Sequence, residues 1–110
     1  MSLDVEVLAS EMLEAALPIL NKGAQNATSF AKTEFRKIAE TIVAIGEQLS
    51  AGEINERQAV LLLSMQTSAS RNVFLTLQGL ALLAVEEAIN AALDVVKTAV
   101  NTAVGFALIA

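Results

Sequence analysis

Carboxylates are the side chains of this chain with the best claim to chemistry. Glu86 and Glu87 stand near Asp94, and Glu11 stands near Glu14. A paired-carboxylate metal site in a helix bundle usually sets His beside its Glu ligands, and the chain contains no His. These carboxylates therefore read as groups that solvate a polar helix face, where charged residues ordinarily lie. Ser64, Thr67, Ser68, Ser70 and Thr76 offer hydroxyls. A hydroxyl becomes a nucleophile only beside a base, and no imidazole is there to act as one. The absence of Cys removes thiolate nucleophiles and disulfides as well. Gly23, Gly46, Gly52, Gly79 and Gly105 are isolated, so no glycine-rich phosphate loop is formed. We expect no catalytic residue, no metal, no cofactor and no small-molecule substrate: the chain reads as a non-enzyme.

Asn90 and Asn101 lie eleven residues apart. Polar residues so placed can fix the register between helices, or they face water. Asn26-Ala27-Thr28 matches a glycosylation acceptor pattern, which we take as chance. Ala84, Ala88, Ala92 and Ala99 are small enough to let helices approach closely, although Ala is also simply a good helix former. The basic residues are dispersed, and the nearest thing to a cluster, Lys32 to Lys37, contains Glu34. With a net charge of −5, the chain lacks the basic footprint of a nucleic-acid binder.

These residues must be carried by helices. Over residues 3–20, Val5, Leu8, Met12, Ala15 or Ala16, and Ile19 recur at helical spacing. Asp4 and Glu6 suit the positive end of that helix. Pro18 and the following Asn21-Lys22-Gly23 predict a kink or break near residues 18–25. Over residues 26–50, Ala31, Phe35, Ile38, Ile42, Ile45 and Leu49 step by four and three, a seam that Ala39 and Val43 widen. Lys32, Glu34, Arg36, Lys37, Glu40 and Glu47 fall off that seam. Residues 50–55 form the one sharp turn: Gly52 can take the left-handed conformation, and Asn55 followed by Gln58 has capping-box spacing.

Beyond the turn the pattern predicts one helix over residues 55–108, roughly 80 Å long at 1.5 Å per residue. Its one soft spot is the polar stretch Thr67–Asn72. Gly79–Val85, Asn90–Val96 and Asn101–Ala107 align as a weak eleven-residue repeat, with Ala always third and Leu or Val always fourth. Eleven residues make three nearly whole turns, so the apolar positions hold to one broad arc. A face that broad calls for more than one neighbouring helix or a flat apolar surface. Residues 73–85 are apolar nearly all round, which suggests the centre of a bundle.

Hydrophobic residues make up 55% of the chain and charged residues 17%. Average domains carry roughly 45–50% and about 25%, and a chain of 110 residues has little interior in which to hide the surplus. The expected fold is a single all-α domain. It is a long antiparallel helical hairpin, with a kinked or separate N-terminal helix, that joins other copies in an oligomeric bundle. The expected oligomer interface is Phe35, Ile38, Ile42, Ile45, Leu49, Phe74, Leu82, Val85, Ile89, Leu93, Val96, Val100 and Val104. The leading functional expectation is a self-assembling protein with a structural or scaffolding role. A second is an amphipathic protein acting at a membrane or lipid surface, and a third is a monomeric bundle that binds a partner helix. Asp4, Glu6, Glu11 and Glu14 are unlike a signal peptide. No uncharged run reaches the ~18 residues of a spanning helix, so the expected location is cytoplasmic.

Overall fold

Asp4 starts the first helix. Its carboxylate accepts a hydrogen bond from the Val7 N–H at 3.1 Å, and its carbonyl accepts one from the Leu8 N–H at 3.0 Å. Both contacts satisfy donors that a helix start otherwise leaves free. In the computed structural model, which describes residues 3–20, 27–77 and 79–110, helix α1 runs Val5–Leu20 and α2 runs Ala27–Ser50. α1 continues through Pro18 to its end at Leu20. The expected exit at Asn21-Lys22-Gly23 and the Asn26 pattern fall on residues 21–26, outside the described residues.

The sharp turn after α2 forms as its residues dictate. Gly52 sits at φ 73°. The Glu53 N–H donates to the Gln48 carbonyl and the Gly52 N–H to the Leu49 carbonyl. That pair of bonds is a Schellman motif, which satisfies the last carbonyls of a helix. Asn55 and Gln58 then exchange hydrogen bonds, each side-chain oxygen accepting from the other's backbone N–H at 2.8 and 2.9 Å. This reciprocal box opens α3, Glu56–Leu77.

The single helix expected over residues 55–108 is instead two. α3 ends at Leu77 and α4 spans Leu82–Val104. Gly79 takes φ 62°, and the Leu80 N–H reaches back to the Phe74 carbonyl at 3.4 Å. Ala81, in extended conformation, precedes α4 without a side-chain cap. The polar stretch Thr67–Asn72, expected to be the weak point, is helical throughout. Its hydroxyls find partners locally. Thr67 Oγ1 donates to the Ser64 carbonyl at 3.1 Å, and Ser70 Oγ accepts from Gln66 Nε2 at 3.4 Å. At the far end, Gly105 at φ 85° stops α4 with its N–H on the Asn101 carbonyl.

The four helices pack on one another. α1 lies against α4 and α2, α2 lies against α3, and α4 touches all three others. α2 and α3 run in opposite directions, since Thr41 meets Gln66 while Phe35 meets Phe74. α3 and α4 share far less contact than α2 and α3 do. The bundle measures 42 × 22 × 19 Å, about half the length a continuous second helix would need.

One core joins the four helices: Leu8, Met12, Ala16 and Leu20 from α1; Ala31, Phe35, Ile38, Ile42 and Ile45 from α2; Leu63 and Phe74 from α3; and Val85, Ile89, Val96 and Val100 from α4. The rings of Phe35 and Phe74 lie 5.9 Å apart and tilted by 40°, within the range in which aromatic pairs attract. Ala88 and Ala92, one turn apart, are buried on α4, and Ala16 is buried on α1. Small side chains of this kind let helices approach closely. Arg36 of α2 pairs with Glu6 of α1 and with Glu40 on its own helix. These pairs are exposed and add little to stability. Glu34, expected on the polar side, is covered and holds Lys37 Nζ at 3.1 Å.

Candidate interaction surface

α3 is built against its own composition. Its buried stripe is Ala59, Leu63, Thr67, Ser70 and Phe74, stepping by four and three as a core-facing helix must. Two of those five are hydroxyl residues and one is Ala. Meanwhile Val60, Leu61, Leu62 and Met65 point outward, with Leu61 at 60% and Met65 at 61% of full exposure. The helix therefore buries Thr67 and Ser70 beside Leu63 and Phe74, while it turns other large aliphatic side chains to the outside. Single exposed aliphatics are ordinary, but a contiguous patch marks a contact surface.

The patch forms a ridge between two grooves. On the α2 side lies a groove of about 420 Å³, lined by Thr41, Ala44, Ile45, Gln48, Leu62, Met65 and Gln66. On the α4 side lies one of about 490 Å³, where Val60, Leu63, Ser64 and Thr67 face Asn90, Leu93 and Asp94. No charged residue occurs from Gln58 to Ser70, between Arg57 and Arg71. The ridge residues from Val60 to Met65 thus carry no charge that has to lose water when they are covered.

Leu108, Ile109 and Ala110 also line the α3–α4 groove. Beyond Gly105 the chain doubles back, and Leu108 and Ile109 join the core. Asn101 holds this segment. Its Nδ2 donates to the Ile109 carbonyl and its Oδ1 accepts from the Ile109 N–H, both at 2.9 Å. Asn101 is thus neither a layer between helices nor a solvated side chain. Asn90, by contrast, is exposed at the rim of the groove.

Comparison of this chain with protein-family models, with curated proteins and with solved structures finds no match.

The residues expected to join copies serve the chain's own core. Phe35, Ile38, Ile42, Ile45, Phe74, Val85, Ile89, Val96 and Val100 are buried, and Leu49, Leu93 and Val104 are half-buried against them. Only Leu82 of that set stands out in solvent. The broad apolar face of α4 meets its three neighbours within one chain. Residues 73–85 are not a bundle centre along their whole length. The helix breaks there, and Leu82 and Leu83 are exposed.

The grouped carboxylates Glu86, Glu87, Asp94, Glu11 and Glu14 are all exposed. Among the described residues no three acidic groups gather as a metal site, and no helix is long and apolar enough to cross a membrane. The exposed ridge on α3 escaped the periodicity argument, yet the sequence carries its signal. Val60-Leu61-Leu62-Leu63 is a run of four aliphatics, and at about 100° per residue four neighbours cannot share one helix face.

Proposed function

We propose that this chain is a non-enzymatic helical protein that associates with copies of itself, in a structural or scaffolding role, through the outer face of α3. The single observation that carries this reading is the inversion of α3, with Val60, Leu61, Leu62 and Met65 outside and Thr67 and Ser70 inside. Keeping a large aliphatic side chain in water rather than buried forgoes about 1.5–3 kcal/mol each. A second copy offers the matching shape. The ridge of one α3 fits beside the ridge of the other and into its α2–α3 groove, as helix ridges do in any packed pair. A two-fold pairing of this kind uses one patch twice.

The exposed part of this face is formed by Val60, Leu61, Leu62 and Met65, and it would form the apolar centre of a small contact with a polar rim. Val60, Leu61, Leu62 and Met65 are themselves uncharged, so no like charges face one another within the ridge itself.

Disulfide trapping locates this contact. The chain has no Cys of its own, so Leu61→Cys introduces the sole thiol. A two-fold α3 contact predicts a covalent dimer under mild oxidation, while a thiol at exposed Glu87 yields little. Equal trapping at both positions would mean random collision and would remove this assignment.

A further inference from the structure

We infer that the groove between α3 and α4 is a receptor for an extended apolar segment, and that in the assembly its occupant is the C-terminal segment Phe106–Ala110 of a second copy. This inference rests on the self-association proposed above and specifies how the copies interlock.

Three observations carry it. First, the occupant is already visible. Leu108 and Ile109 of the same chain sit in the seam where α3 and α4 share little contact. Second, the receptor reads backbone. Both hydrogen bonds from the Asn101 amide go to the main chain of Ile109, and an amide satisfied in this way holds a strand equally well whichever copy supplies it. The groove continues past this clamp with about 490 Å³ still open. Third, the connection is short and tightly bent. Gly105 takes φ 85°, and three residues later the Leu108 N–H bonds back to the Phe106 carbonyl at 2.9 Å. Short, bent hinges favour exchange, because opening the hinge and rebuilding the same contacts between two chains costs little. The α3 ridge lines this groove through Val60, so exchange and ridge contact bring the same two surfaces together.

The test uses the full chain. Ser64 and Ala110 are both exposed and line the same groove, so Ser64→Cys and Ala110→Cys leave the core intact. The two single variants are mixed, oxidised mildly and digested, and the linked peptides are read by mass spectrometry. Exchange predicts a 64-to-110 disulfide between chains. It also predicts that a chain carrying both thiols yields covalent dimers in proportion that grows with concentration. Only monomeric, internally closed product from the double variant, with no mixed link while light scattering still shows association, would overturn tail exchange and leave the ridge contact standing. A chain that is monomeric at every concentration would overturn both.

Discussion

Replacing Phe74 by Ala separates a core that belongs to one chain from a seam shared between chains. Phe74 is fully buried and packs its ring 5.9 Å from that of Phe35. Removing a buried Phe costs about 3–5 kcal/mol, because transfer energy is lost and a cavity stays behind. Part of that figure is the aromatic pair itself, roughly 0.5–1.5 kcal/mol. Total stability for a domain is only about 5–15 kcal/mol, so the variant should fold but sit near its limit. For a chain of 110 residues, each kcal/mol moves the melting temperature by about 4 °C, giving a drop of roughly 12–20 °C. Far-ultraviolet circular dichroism suits the assay, since the chain has no Trp or Tyr and is mostly helix. The melt is run at two concentrations tenfold or more apart. An intrachain core predicts the same decrement at both. A decrement below about 4 °C, or one that vanishes as concentration rises, would refute the reasoning and return Phe35 and Phe74 to a contact between copies.

Other perturbations probe separate parts of the fold. Asn55→Ala breaks the reciprocal capping pair with Gln58 and should cost about 0.5–2 kcal/mol in a denaturant titration. Gly52→Ala forces a side chain onto a backbone at φ 73°. It should destabilise by roughly 1 kcal/mol or more, and a stability gain would argue against the Schellman turn. Asn101→Ala removes both hydrogen bonds to Ile109 and should cost about 1–3 kcal/mol. In hydrogen exchange, the loss should fall on the Ile109 amide before it reaches α2. Salt provides a last check. Association through the uncharged stretch Gln58–Ser70 should persist or strengthen at high ionic strength, whereas a contact built from ion pairs would weaken.

Much of the bundle can be read from the residues alone. α2 shows this best, because Ala31, Phe35, Ile38, Ile42 and Ile45 follow the helical period strictly and all are buried. The turn at residues 50–55 is equally legible, since Gly52 and the Asn55–Gln58 pair each dictate a local conformation. The second half is harder, because two signals compete there. The hydroxyl-rich stretch Thr67–Ser70 resembles a break, yet Thr67 and Ser70 bond within their own helix and stay inside. Gly79, followed by an unbroken apolar run, resembles a tolerated helical glycine, yet it takes φ 62° and ends α3. The break at residues 79–81 replaces the expected 80 Å rod with two shorter helices, α3 and α4. The ridge on α3 is then a consequence of packing. Which face of an apolar helix turns inward depends on neighbours that periodicity does not see, and α3 turns in Ala59, Leu63, Thr67, Ser70 and Phe74.

The central claim is that α3 presents an interface to a second copy. Light scattering behind a sizing column, in detergent-free buffer over a range of concentrations, tests it most directly when the natural chain is run beside a Leu61→Glu, Met65→Glu variant. The natural chain should move from 11.5 kDa to a discrete multiple as concentration rises. The variant should stay at the mass of one chain with its helical dichroism unchanged. A natural chain that remains monomeric throughout, or a variant that associates as readily, would contradict it.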